Sequence, residues 1–135
     1  MPERRTYDYA IIRVVPKVER DEFINVGVIL WCEDLGYAEA RIELNEARVL
    51  SLDPDADLDS IRAHLAAIPA VCAGGESGGP LSKLSKRERF LMLAAPRSTM
   101  IQSSPLHTGL CTDPAATLEH LMDSMVRPGK PQTRD

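Results

Sequence analysis

The sequence predicts an α+β fold in a single globular domain over residues 1–126. It would be an antiparallel sheet of about four strands, an N-terminal three-strand meander plus a later short strand, with three or four helices packed against one face. Three observations carry this. Residues 22–31 read Glu-Phe-Ile-Asn-Val-Gly-Val-Ile-Leu-Trp, the most apolar run in the chain. From Val26 to Trp31 apolar residues fall on both parities, so both faces of this strand are covered and it is central. From Tyr37 the pattern alternates, with Ala38, Ala40, Ile42 and Leu44 against Glu39, Arg41 and Glu43, which describes a strand with one wet side. Beyond residue 45 the apolar spacing becomes helical, so strands and helices are segregated along the chain.

Residues 6–15 form the first strand, with Tyr7, Tyr9, Ile11, Arg13 and Val15 on one face and Asp8, Ala10, Ile12 and Val14 on the other. Pro16 closes it, and residues 17–21 are a charged connection short enough for an antiparallel hairpin. Gly27 interrupts the second strand, which marks a bulge or a close approach of another backbone or a ligand. Gly36, able to take a positive φ, completes the next turn. Asn45 caps a short helix to Leu52. Asp57 or Asp59 caps a second, in which Leu58, Ile61, Leu65 and Ile68 share a face and Pro69 sets the limit. Residues 74–80, Gly-Gly-Glu-Ser-Gly-Gly-Pro, read as a mobile loop. A phosphate-binding loop would need a Gly-Lys-Ser/Thr ending and a preceding buried strand, and the sequence has neither.

Ser85 and Glu88 have the capping-box spacing for a helix that runs to Ala95 and stops at Pro96. Residues 97–104 read as the fourth strand, rich in hydroxyls. Asp113 caps a last helix with Pro114 at its first position and Leu118, Leu121, Met122 and Met125 as its apolar stripe. Residues 127–135 are dominated by Pro, Gly and charge and are expected to form a disordered tail.

The net charge of −4 argues against a dedicated nucleic-acid binder, whose footprint is a basic domain. Lys83, Lys86, Arg87 and Arg89 are read as a solvated helix face, with nucleic-acid contact as a lesser alternative. Cys32, Cys72 and Cys111 have no metal-like or redox-like spacing, and reduced thiols in a cytoplasmic protein are expected. Neither a secretory leader nor a run of about 20 apolar residues is visible, so no membrane span is expected. No cofactor motif is present, and His64, His107 and His120 lack partners at ligand spacing, so no metal is expected either.

Two stretches depart from plain fold-building. Arg13 lies mid-strand on the face of Tyr7 and Tyr9; if that face is covered its guanidinium needs a partner, for which Glu22 across the hairpin is the natural candidate, with Asn25 beside it. This is either a structural ion pair or part of a site. The second stretch runs from Arg97 through Gln102, Ser103, Ser104 and His107 to Gly109, combining a guanidinium, an amide, hydroxyls and an imidazole that suit a phosphate or carboxylate. Its plain alternative is a strand and loop whose hydroxyls satisfy their own backbone. A serine–histidine hydrolase built on Ser104 and His107 lacks the nucleophile-elbow and oxyanion signatures. A single site requires Arg13, Glu22 and Asn25 to meet Arg97, Gln102, Ser104 and His107 across roughly 70 residues of chain, with the fourth strand beside the first or second.

The blocks Tyr7-Asp8-Tyr9-Ala10-Ile11-Ile12-Arg13-Val14-Val15-Pro16 and Glu22-Phe23-Ile24-Asn25-Val26-Gly27-Val28-Ile29-Leu30 carry a family resemblance. So do Arg89-Phe90, Ala95-Pro96-Arg97-Ser98-Thr99 and Gln102-Ser103-Ser104-Pro105-Leu106-His107-Thr108-Gly109. Together they resemble the bacterial family catalogued as domain of unknown function 3037, over most of residues 6–126. The resemblance implies no assigned activity. It implies that both polar stretches belong to the family pattern, and it associates such proteins with neighbouring genes for kinases similar to the HipA toxin kinase, a possible partner. The function expected is a small non-catalytic binding or regulatory module that recognises a partner protein or small anionic ligand. The alternative is an enzyme acting on a phosphorylated or nucleotide substrate, with His107 as general acid or base and Arg13 and Arg97 as anion clamps.

Overall fold

The apolar run at residues 24–32 is strand β2 (Ile24–Cys32), and it is central as its composition requires. In the computed structural model, which describes residues 3–95 and 99–127, β2 pairs antiparallel with β1 (Arg5–Val14) on one side and β3 (Tyr37–Ile42) on the other. The meander is therefore as expected. The outer edge of β1 is shared by two short strands, β4 (Ile101–Ser103) and β5 (His107–Cys111), giving a five-stranded antiparallel sheet. Strand β5 falls where the sequence suggested only loop.

Among the described residues four helices complete the α+β fold: α1 (Glu46–Leu52), α2 (Leu58–Ala73), α3 (Lys86–Leu93) and α4 (Pro114–Met125). The caps follow the chemistry of the side chains. Asn45 accepts from Arg48 N–H, Asp57 from Ser60 N–H, and Asp113 from Ala115 and Ala116 N–H. Ser85 and Glu88 form the reciprocal capping box.

The helices do not all pack on one face, which corrects the expected layering. Ala10, Ile12, Val14, Ile29 and Trp31 pack against Val49 of α1, Ile61 and Leu65 of α2 and Phe90 of α3. Val28, Leu30 and Cys32 pack on the other face against Leu118, Leu121 and Met122 of α4, with Tyr7, Tyr9 and Tyr37 at the margin. A strand apolar on both parities needs cover on both sides, and α4 supplies the second.

Two further expectations change. Pro69 does not end α2, which continues to Ala73 and buries Val71 and Cys72 beyond it. Residues 74–80 are not simply loop: a 3-10 segment, Glu76–Lys83, lies against α2, and a Cβ on Gly78 would stand 3.0 Å from Ala70 O. Gly27 is both a bulge and a close approach. The ladder pairs Ile12 with Gly27 and then Arg13 with Asn25, leaving Val26 unopposed. A Cβ on Gly27 would lie 2.5 Å from Arg41 O and 2.6 Å from Ile42 Cδ1.

Candidate functional site

Cross-strand register builds the polar cluster. Arg13 on β1 faces Asn25 on β2 and Gln102 on β4, so the three side chains form one row across the sheet. This is the docking of the fourth strand beside the first that a single site requires. Asn25 is fixed by donating its Nδ2 to Met125 O at the end of α4, 3.0 Å away, which satisfies a carbonyl that the helix leaves open. Gln102 donates to Thr99 O at 2.8 Å.

Arg13 does not pair with Glu22. Arg20, two residues from Glu22 and outside the sheet, takes that carboxylate instead. The Arg13 guanidinium lies over the ring of Phe23, 4.1 Å from its centroid, and Phe23 is 45% exposed. None of the ion pairs among the described residues involves Arg13. Its Nε and the Oδ1 of Asn25 are buried without a hydrogen-bond partner among the described residues. The cluster is thus a cation on an aromatic shelf, flanked by two amides.

Ser104 and His107 belong to a different arrangement. Strand β4 pairs Ser103 with Ile12, while β5 pairs His107 with Tyr9, so the register slips by one residue between them. Ser104 absorbs the slip. Its hydroxyl accepts from Ile11 N–H at 2.9 Å and donates to Pro105 O at 2.9 Å, and its backbone N–H donates to Ile11 O. Only 2% exposed, Ser104 stitches a broken edge to β1. His107 stacks on Tyr9 with 5.1 Å between ring centroids, and Tyr9 in turn stacks on Tyr7 at 5.8 Å. Burial, with Tyr9 beside it, holds the Tyr7 phenol above its ordinary pKa. His107 shares the sheet face of Arg13 but lies four β1 residues away, about 13 Å along the strand. Arg97 falls outside the described residues.

The family model described as "Protein of unknown function (DUF3037)" matches residues 9–126. The chain belongs to the DUF3037 family. Comparisons with the curated proteins and with the solved structures give no match. The matched span of this DUF3037 protein takes in Arg13, Glu22, Asn25, Gln102, Ser104 and His107.

Other charged residues of the DUF3037 chain hold the fold. Arg89 is buried, and its guanidinium donates to the carbonyls of Ser82, Leu84 and Cys72, tying α3 to the 3-10 segment and the end of α2. Lys86 donates to Gly36 O. The basic run at residues 83–89 is therefore not one solvated face. Arg127, the first residue of the expected tail, binds Glu119, Asp123 and Glu43, and Glu119 also binds Arg41, which clamps α4 to β3. The remaining tail residues, 128–135, lie outside the described residues. Clamp and buried arginine alike were missed by pattern reading; a run of like charges shows periodicity but not which members find carbonyls. Among the described residues, no group of three or more His, Cys, Asp or Glu is placed to hold a metal, and no helix is long and apolar enough to cross a membrane.

Proposed function

We propose that this DUF3037 protein is a non-catalytic binding module that recognises an anionic group, a carboxylate or phosphate on a partner, through Arg13. One observation carries the reading: Arg13 is a half-buried cation with no acidic partner among the described residues, set over the exposed ring of Phe23 and between Asn25 and Gln102. A guanidinium on an aromatic shelf is weakly hydrated and presents a planar donor edge, which suits carboxylate and phosphate oxygens. Among the described residues no carboxylate pairs with Arg13: Glu22 is taken by Arg20, and Glu43 by Arg127.

The enzyme reading has less support. The Ser104 hydroxyl proton is committed to Pro105 O, and His107 stands about 13 Å along β1 from Arg13. Heteronuclear NMR titration with inorganic phosphate and with acetate tests the proposal. Shifts are expected at Arg13 Nε–H, Phe23 and the Asn25 and Gln102 amides, and are expected to vanish in Arg13→Gln. Shifts centred on Arg20, or unchanged in that variant, would overturn it. Turnover of a phosphate ester that is abolished by His107→Ala would favour the enzyme.

A further inference from the structure

A cavity lies on the opposite face of the sheet from Arg13. It has a volume of about 520 Å³, is partly open to solvent and is bordered by α2, the 3-10 segment, α3, β4 and the approach to β4. That volume is within the range of small-molecule sites, roughly 300–1,000 Å³. Its walls are mainly apolar, with Ile68, Leu81 and Met100 among them, and among the described residues the polar side chains that line it are His64, Thr99 and Ser103.

Those three side chains share one property. The Thr99 hydroxyl donates to Ile101 O at 2.8 Å, and the Ser103 hydroxyl donates to Leu93 O at 3.1 Å. His64 Nδ1 lies 2.8 Å from Ser60 O, and a carbonyl only accepts, so the proton of the neutral ring sits on Nδ1. Nε2 is then left as an acceptor. With the imidazole uncharged, each of these three side chains directs its proton to the backbone and turns lone pairs to the cavity.

We propose that this cavity binds a small, largely apolar molecule that carries a hydrogen-bond donor, such as an aromatic N–H or O–H. The polar side chains described in this wall present acceptors, which give nothing to a carboxylate or phosphate. The site is independent of Arg13 and of the anion reading, and the two surfaces would serve chemically opposite ligands.

Indole and benzofuran provide the test, because they match in shape and differ in whether the ring carries N–H or oxygen. In methyl-resolved NMR titrations, indole should shift the methyl signals of Ile68, Leu81 and Met100 and bind about five to ten times more tightly than benzofuran, the worth of one hydrogen bond. Benzoate should bind more weakly still. His64→Phe, an exposed position on α2, should erase much of the preference for indole while leaving the far-ultraviolet spectrum unchanged. Ile68→Trp should block both ligands. Equal binding of indole and benzofuran, tighter binding of benzoate, or no indole-dependent shift at these methyls up to the solubility of indole would each overturn the proposal.

Discussion

Arg13 lies directly opposite Asn25 in the β1–β2 ladder, and the pair leaves a donor, Nε, and an acceptor, Oδ1, buried without a partner among the described residues. Each such atom costs about 1–3 kcal/mol. The stacking of Arg13 on Phe23 returns roughly 0.5–1 kcal/mol at a site this open. The row is therefore poor as structural reinforcement. Arg13→Met keeps an apolar stem over the ring and removes the unmatched donor. It is expected to leave stability unchanged or raised by about 1 kcal/mol in urea unfolding, while phosphate and acetate binding are lost. A loss of several kcal/mol would return Arg13 to a purely structural role.

Gly27→Ala meets a backbone carbonyl, not a flexible side chain. With its Cβ 2.5 Å from Arg41 O, the β2–β3 pairing must shift, and a destabilisation of about 3 kcal/mol is expected, the upper end of overpacking costs. Urea unfolding measures it, and a change below about 0.5 kcal/mol would show that the bulge yields.

Ser104→Ala removes the acceptor of Ile11 N–H. A cost of about 1–3 kcal/mol is expected, together with faster hydrogen exchange at Ile11 than at the Ala10 and Ile12 amides. Unchanged exchange at Ile11 would mean that the backbone repairs the ladder unaided.

The Glu119 carboxyl is held below its ordinary value of 4.5, first by the hydrogen bond from Arg127. A carboxylate whose pKa falls on folding contributes stability above its unfolded pKa and loses it as pH drops through the folded value. The clamp between α4 and β3 is therefore expected to weaken only below about pH 4.5. Carboxyl-detected NMR should show Glu119 titrating below that value in the native protein and closer to it in Arg127→Gln. No difference between the two would remove the clamp from the acid limb.

Gly27 was legible because a glycine within a β-branched run has few other uses, and the Ser85–Glu88 box because capping is settled within four residues. Convergence of Arg13, Asn25 and Gln102 was legible only as a requirement, since register between strands about 90 residues apart is set by the whole ladder. The partner of Arg13 was not legible. Glu22 had a competitor two residues away in Arg20, and local pairs form without any cost of sheet alignment. For α4, the stripe of Leu118, Leu121 and Met122 declares that the helix packs but not on which face; the double parity of β2 held that answer. Strand β5 escaped because His107-Thr108-Gly109-Leu110-Cys111 has a glycine at its centre and no clean alternation.

The slip at Ser104 also governs how the molecule meets its neighbours. Residues 99–112 contain no Asp, Glu, Lys or Arg, and Leu110 is 61% exposed, so the outer rim of the sheet lacks the like charges that usually keep strands of separate molecules apart. One unbroken strand there would offer an intruding chain a long template. Instead the rim is divided into lengths of three and five residues, with Pro105 at the join supplying no donor. The hydroxyl that mends the ladder inward thus permits a break outward, and that break guards this neutral rim against runaway strand-to-strand assembly.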